Sequence, residues 1–349
     1  MFVGATKSRI AALLCCLALA CRAATAAAGS GSQWLPCDRG WESYATAEAL
    51  LLQRDNETGG AALVINGDTL QTAIAGNSLQ FPVAPGVRLG YGRHGPEGIG
   101  WEIGYAGLYG MFADATAVGN GNLEIAPDLA SAVANLRNAS AARATYGSVL
   151  NTAEANLLLS EVSFHRPRRS AYVMESYPCH AWLDWLAGFR WAGLDEQASI
   201  LLASDATDAV GRYGVRTSSN LFGGQLGVRS RMQWRRLGFE GCLKAAVASA
   251  NTSQSQDPIV DTVIHDVYRP ARSSQNSTVG GIFDINFSLL YRIDEAWRLR
   301  VGYNSIWLTG VALAPSQFDF SNSPTAGTSI TDSQTLWLNG MNLGLERRW

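Results

Sequence analysis

The residues best suited to catalysis are few and scattered. The chain has four histidines, and no two of them have the spacing of metal ligands. Gly90, Gly92 and Gly95 form a G-x-G-x-x-G pattern after a strand-like segment. A dinucleotide site would need a helix next, but Pro96 and further glycines follow, so we predict a hairpin turn there.

One pair of residues could belong to a hydrolase. Ser163 and His165 lie two positions apart, hence on one face of a strand, but no acidic residue is placed to orient the histidine. The basic run at 165–169 predicts a solvated turn or a lipid headgroup contact, with a specific ligand site as the alternative. We therefore predict no catalytic residue, no metal site and no cofactor.

Ion pairing is the chemistry that recurs along the chain. In the clearest strand, residues 181–194, aromatic and aliphatic side chains occupy one parity, while Asp184 and Arg190 occupy the other. This division is typical of a strand between lipid and a barrel lumen. The same parity argument predicts a lumen-facing set: Arg88, Glu102, Glu154, Asp184, Arg190, Arg229, Arg231, Glu240, Lys244, Asp284, Arg298, Arg300 and Glu346.

The last stretch, residues 334–349, alternates in the same way and ends on Trp349. In a membrane barrel, such a strand pairs with the first one and places its aromatic residue in the interfacial girdle. An ordinary terminal strand of a soluble β-domain is the alternative. Arg347 departs from the pattern because it shares the apolar face, although its long stem can carry the charge to the headgroups.

The N-terminus predicts export. Lys7 and Arg9 precede an apolar core at 10–20, and small residues follow, so residues 1–28 are predicted to be a cleaved signal peptide. Lipoprotein processing at Cys21 is the alternative. Residues 29–45 form a lead-in, and residues 46–349 form one barrel domain. Cysteines at 37, 179 and 242 are too few for a disulfide framework, and whether two of them pair stays open.

Composition agrees with a membrane barrel. The net charge of −2 gives no basic footprint for nucleic acid, so none is expected as a partner. The chain holds 36 glycines, 11 tryptophans and 11 tyrosines, which suit tight turns and aromatic girdles. We predict an all-β fold: a closed, antiparallel, up-and-down transmembrane barrel of about 10–12 strands, with long loops on one side. The predicted loops include 54–81, 113–150, 252–278 and 312–332, with helical turns around 127–143.

Several segments resemble a known family. They are A-E-A-L at 47–50, P-G-V-R-L-G-Y at 85–91, G-W-E-I-G-Y-A-G-L at 100–108, L-D-W-L-A-G-F-R-W-A-G-L-D-E at 183–196, N-L-F-G-G-Q-L-G at 220–227, L-R-V-G-Y-N-S-I-W-L at 299–308 and the terminal G-L-E-R-R-W. In order and spacing they resemble the bacterial family called putative β-barrel porin 7. The resemblance implies a closed barrel in the outer membrane, surrounded by lipid. The C-terminal strand ending in Trp349 looks like the β-signal of bacterial outer-membrane proteins, so we expect the barrel-assembly machinery as a partner through that strand.

Two classes of function follow. The first is a narrow porin-like channel for small solutes, or a structural barrel of the envelope. The second is an adhesin or barrel enzyme acting through the long loops, with a soluble secreted β-protein as a weaker third option. Opposed charges in a lumen of this size should pair and partly occlude it, which predicts low conductance. Replacing Arg298 and Arg300 by Ala is then expected to raise the conductance.

Overall fold

The described part of the chain is mostly β-structure. The computed structural model describes residues 42–349, except for 57–59, 96–97, 167–178, 206–208, 263 and 265. The predicted signal peptide and most of the lead-in lie outside the described residues. The strands are β1 (Glu42–Arg54), β2 (Ala62–Asn66), β3 (Thr72–Ala75), β4 (Ala84–His94), β5 (Ile99–Ile125), β6 (Ala139–Arg166), β7 (Cys179–Ser204), β8 (Ala209–Trp234), β9 (Leu237–Gln256), β10 (Ile259–Asp261), β11 (Asp266–Arg269), β12 (Arg272–Arg292), β13 (Trp297–Val311) and β14 (Gln334–Arg348).

Among the described residues, helical structure is limited to short pieces. The helix α1 spans Pro127–Ala132, and 3₁₀ turns span Gly76–Ser78, Ala134–Leu136 and Ala314–Gln317. No helix among the described residues is long and apolar enough to cross a bilayer.

Ten strands close into a barrel. Their order around the ring is β1, β4, β5, β6, β7, β8, β9, β12, β13 and β14, each antiparallel to the next. The ring closes where β1 pairs with β14, from Tyr44 opposite Arg348 to Arg54 opposite Leu338. The predicted closed, antiparallel, up-and-down barrel with an even strand number is confirmed.

The two ends of the barrel differ. At the turn end, which also carries the chain's last residue, β8 and β9 are joined by Arg235 and Arg236 alone, with Arg235 at a φ of 54°. The loop end carries the β2–β3 hairpin, α1, the β10–β11 hairpin and the segment 312–333. Among the connections that the structure describes, the long ones therefore gather on one side, as predicted.

The sequence-based loop boundaries are wrong in two places. The sequence predicts that residues 113–150 leave the barrel, yet β5 continues to Ile125 and β6 begins at Ala139, with the predicted helical turn between them as α1. It also predicts a loop at 252–278, yet β9 runs to Gln256 and β12 begins at Arg272. Both tracts lack an outward apolar face, which is the pattern that identifies the other strands.

The half of the barrel next to the turn end is here called the turn-side half. Its outward face is apolar. Exposed aliphatic side chains such as Leu226, Val301 and Leu343 form a belt there, with aromatic residues at both margins. Toward the turn end the aromatic margin contains Tyr91, Trp101, Trp234, Trp297 and Trp349. Toward the loop end it contains Tyr105, Tyr109, Trp191, Phe222, Trp307 and Trp337. This is the lipid-facing surface of a membrane barrel.

Beyond the second margin, the strands continue with the opposite polarity. On β7 the outward residues become Asp195, Gln197 and Ser199, while the inward Ile200 and Leu202 are fully buried. Exposed ion pairs such as Arg143–Asp114 decorate this outer face. The half of the barrel next to the loop end, which on β7 begins near Asp195, is here called the projecting half. It has the polar exterior and apolar interior of a β-domain surrounded by water.

Candidate functional site: the charged interior of the barrel

Charged side chains from all ten barrel strands meet inside the turn-side half. We call this set the interior network. Its carboxylates form ion pairs with its own arginine and lysine side chains. Its members are Glu48, Arg88, Glu102, Glu154, Arg190, Arg229, Arg231, Glu240, Lys244, Asp284, Arg298, Arg300 and Glu346. The alternation of each strand places these residues inward, opposite the lipid-facing belt.

Glu346 is the centre of one group in the network, and none of its side-chain surface is exposed. Arg231 donates to both of its oxygens, at 2.9 and 2.8 Å, which is the bidentate geometry of a strong pair. Arg298 and Arg300 donate to it at 2.9 and 2.7 Å, and Arg348 does so at 2.6 Å. Four guanidinium groups thus converge on one carboxylate.

Two more carboxylates offset much of the positive charge of this group. Arg300 Nη2 donates to Glu240 at 2.6 Å, and Arg300 Nε donates to Glu48 at 2.8 Å. Arg231 Nε also donates to Glu240, at 2.7 Å. Buried charges are retained only when they are paired and hydrogen-bonded in this way.

A second group lies around Glu102, Glu154 and Asp284. Arg229 and Lys244 pair with Glu102 and Glu154 respectively. Arg190 Nη2 donates to Asp284 at 3.0 Å. Neutral residues complete the acceptors' bonding: the Tyr44 hydroxyl donates to Glu102 at 2.7 Å, and Gln225 Nε2 donates to Glu154 at 3.0 Å.

Some pairs join neighbouring strands along the wall, such as Arg298 with Glu346, and others cross the bore. Arg231 on β8 and Glu346 on β14 are four strands apart in a ring of ten, and Lys244 on β9 is three strands from Glu154 on β6. Arg88 joins the two groups, lying 3.8 Å from both Glu48 and Asp284. The network leaves a cavity of about 100 Å³, which has room for several water molecules.

The structure brings nearly all of the predicted lumen residues into this network. Asp184 is buried as well, but it accepts a hydrogen bond from Ser160 at 2.6 Å, and no ion pair across the bore includes it within the described part of the chain. Sequence analysis missed Glu48 and Tyr44. Both share the parity of Thr46 on β1, so the alternation of that strand is the signal that could have identified them.

Other sequence candidates contribute no site. Gly90 and Gly92 lie on β4 and precede the turn to β5, where a side chain at position 92 would overlap the Tyr44 ring. The G-x-G-x-x-G pattern is therefore structural. The structure describes no side chains for Ser163, His165 or the basic run at 165–169. Cys242 carries a free thiol.

One further buried ion pair lies outside the interior network, in the projecting half, where sequence analysis predicts no charge. Arg54 Nη1 is 2.6 Å from Glu196 Oε1, and neither side chain is exposed. The Tyr146 hydroxyl donates to Glu196 at 2.8 Å, and the Arg54 guanidinium lies over the Phe81 ring. The sequence does not predict this pair, because its pattern does not identify residues 113–150 and 195–204 as strands.

Segment 312–333 folds into the mouth of the projecting half. The Ala314 N–H donates to Glu196 at 2.9 Å, and Gln256 donates to the Gln317 carbonyl at 2.8 Å. Phe318 packs edge-on against Tyr213, with ring centroids 5.0 Å apart. Partial burial raises the pKa of Asp319, but hydrogen bonds from Ser321 and the Gly327 N–H hold it below its usual value. The segment is therefore anchored within the projecting half.

Comparison with known proteins agrees with this architecture. The family model described as "Putative beta barrel porin-7" matches residues 45–349, which is most of the chain. The chain belongs to this family. Its fold and family place it in the bacterial outer membrane. No curated protein matches the chain.

Solved structures that match the chain include two outer-membrane proteins. One is the outer membrane protease OmpT from Escherichia coli, at 11% identity and a TM-score of 0.46, covering 92% of this chain and 100% of that one. The other is a major outer membrane protein from Thermus thermophilus, at 12% identity and a TM-score of 0.33, covering 89% and 100%. Identities this low carry no statement about activity.

Proposed function

We propose that this protein is a non-conducting barrel of the outer membrane that serves the envelope structurally, and not a general porin. The observation that carries the proposal is double occlusion. Ion pairs cross the bore of the turn-side half, and an apolar core with segment 312–333 fills the projecting half. An ion crossing the barrel would have to disrupt the ion pairs of the turn-side half and lose its hydration shell to pass the apolar core of the projecting half.

The strand number points the same way. Barrels of about eight strands are filled by side chains, and open aqueous channels appear at about sixteen to eighteen strands. A ring of ten lies near the filled end of this range. The low conductance expected from the sequence thus gains a second physical reason, because sequence analysis does not predict the apolar core.

Planar-bilayer recording of the purified protein tests the proposal. We expect conductance well below that of a general porin. From the sequence alone, the double variant Arg298→Ala/Arg300→Ala is expected to open the bore. With the projecting core in place, we expect it to stay closed.

Each outcome of that experiment is decisive. Large, stable openings in the wild-type protein would refute the proposal outright. Openings in the arginine double variant alone would show that the projecting half does not seal the bore. Heat-modifiable gel mobility of every variant verifies that the barrel has formed.

A surface-binding role is the second candidate, and one observation favours it. The β10–β11 hairpin at the loop end exposes Ile264, Val267 and Tyr268. Apolar side chains held above the membrane on a rigid support are typical of contact surfaces. Whole-cell adhesion with and without residues 260–268 tests this candidate separately. We infer no catalytic role for the interior network, because its carboxylates are already engaged by arginine and lysine.

A further inference from the structure

Arg347 is a charged residue on the lipid-facing surface. It lies on β14 with the same parity as Met341, Leu343 and Leu345, all of which are exposed on the belt. Within the described part of the chain, no carboxylate forms an ion pair with it, in contrast to its neighbour Arg348, which pairs with Glu42 and Glu346. An anion supplied by the lipid would stabilise an exposed cation at this depth of a membrane barrel.

Two tryptophans hold the Arg347 side chain in place. Its guanidinium carbon lies 5.6 Å from the ring centroid of Trp297 and 5.6 Å from that of Trp349. Trp349 in turn lies 6.1 Å from Tyr91. Indole and phenol rings favour the headgroup level of a bilayer, so this cluster fixes the depth of the guanidinium at the phosphate plane of the turn-end leaflet.

A second arginine stands across the barrel seam. Arg347 is opposite Ala45 on β1, and the adjacent outward position of β1, Ser43, is opposite Arg93 on β4. From strand spacing and rise, the two arginine Cα atoms are about 12 Å apart. Tyr91 and Trp349 occupy the other diagonal of the same positions, with ring centroids 6.1 Å apart. Arg93 therefore lies beyond this aromatic pair and adds positive potential, while Arg347 is the arginine on the β14 side.

The shape of the seam complements a lipid. Outward positions of β1 are Ala45, Ala47 and Ala49, with Leu345 and Leu343 on one flank and Leu89 and Val87 on the other. Small side chains between two larger rows form a shallow groove that runs from the arginines toward the middle of the apolar belt. An acyl chain has the width and chemistry to lie in it.

We propose that the β1–β14 seam binds one phospholipid of the turn-end leaflet. Its phosphate accepts charge-assisted hydrogen bonds from Arg347, with Arg93 adding to the positive potential, and one of its acyl chains lies along the alanine groove of β1. Charge complementarity carries the assignment, since the site offers fixed cations at headgroup depth and the bilayer supplies the phosphate. The site lies on the outer surface and is independent of the interior network.

Native mass spectrometry of the full-length protein in a non-ionic detergent tests the proposal, with dioleoylphosphatidylglycerol as the probe. We expect Arg347→Gln to weaken retention of the lipid about tenfold, the size of one lost charge-assisted hydrogen bond. Ala47→Leu, which fills the groove, should also weaken it. Arg236→Gln is the matched control, because Arg236 is an exposed arginine at the same end, outside the seam.

Two further probes separate the parts of the ligand. Dioleoylglycerol has the chains without the phosphate, and inorganic phosphate has the anion without the chains; both should bind far more weakly than the phospholipid. Equal loss in Arg347→Gln and Arg236→Gln, or equal retention of dioleoylglycerol, would overturn the proposal. Binding of inorganic phosphate as tight as that of the lipid would also overturn it, by reducing the site to an anion site. Unchanged heat-modifiable mobility verifies that each variant is folded.

Discussion

The two halves of the barrel fill their interiors with opposite kinds of side chain. On β7, the turn-side half exposes Trp185 and Phe189 outward and buries Arg190, whereas the projecting half exposes Asp195 outward and buries Ile200. The strand continues without interruption between them. Its alternation keeps a period of two, and only the assignment of apolar residues to a face is exchanged.

The surrounding solvent explains the exchange. In water, moving Ile or Leu inward is worth roughly 25 cal/mol per Å² of apolar surface, so the projecting half builds an apolar core. In lipid, an apolar side chain gains little by leaving the outside. The interior of the turn-side half is therefore free to hold charges, provided that they pair. Stability rests on hydrophobic burial in one half and on ion pairs in the other.

The largest effect is expected where the ion pairs converge. Glu346→Gln removes the carboxylate charge with which Arg231, Arg298, Arg300 and Arg348 all pair, leaving guanidinium groups buried with less compensation. Breaking such a buried pair costs about 3–5 kcal/mol. Urea unfolding in lipid vesicles, followed by tryptophan fluorescence and gel mobility, measures the loss.

Asp114→Asn is the matched control for Glu346→Gln. It breaks the Arg143–Asp114 pair on the outside of the projecting half, where both side chains are about half exposed. A solvated pair of this kind is worth at most about 1 kcal/mol. Equal losses in the two variants would mean that water reaches Glu346 and that the bore is open.

The next effect concerns the apolar core and uses two neighbouring residues. Ile200 is fully buried within the projecting half, while Leu201 faces outward and is 39% exposed. Ile200→Ala should cost about 2–5 kcal/mol, because it removes buried methyl groups and leaves a cavity. Leu201→Ala should cost less than about 1 kcal/mol. Hydrogen exchange of the loop-end amides shows whether the loss is confined to the projecting half.

The reverse result would contradict the comparison directly. If Leu201→Ala proved the more costly substitution, the outer face of the projecting half would be buried against lipid or another surface. The membrane boundary would then not lie at the point on β7 where apolar side chains change from the outward to the inward face.

Much of the fold is predictable because the lipid-facing half has a strong sequence signal. Phe283, Phe287 and Leu289 alternate with Asp284 and Ser288, and this pattern survives without any knowledge of neighbouring strands. In the projecting half the inward residues include alanines at 142, 144 and 198, and the outward residues are mixed polar ones. Alternation between small apolar and polar residues is weak, so the sequence leads to a β5 that ends too early and a β6 that begins too late.

The partners within the interior network are not predictable from the sequence. Parity shows that Arg231 and Glu346 both point inward, but their pairing depends on the bore's width and the stagger of strands 115 residues apart. The Arg54–Glu196 pair requires knowledge that both side chains lie at one height in the projecting half. Alternation fixes the face on which a residue lies, while ring closure fixes which residues meet across it.

The last pair of substitutions contains the smallest expected effect and locates the boundary between the halves. Leu226 is 69% exposed near the middle of the apolar belt, and Val118 is 87% exposed on the outer face of the projecting half. Leu226→Arg places a charge against lipid and should cost about 2–4 kcal/mol, whereas Val118→Arg faces water and should change stability by less than about 0.5 kcal/mol. Urea unfolding in lipid vesicles measures both.

The two substitutions add the same side chain to an exposed aliphatic position, so the difference between their costs reports the surroundings alone. In detergent micelles thin enough to let arginine reach water, the cost at position 226 should shrink while that at 118 stays near zero. Equal costs at the two positions in vesicles would show that lipid covers both, and the projecting half would then have to be placed inside the membrane.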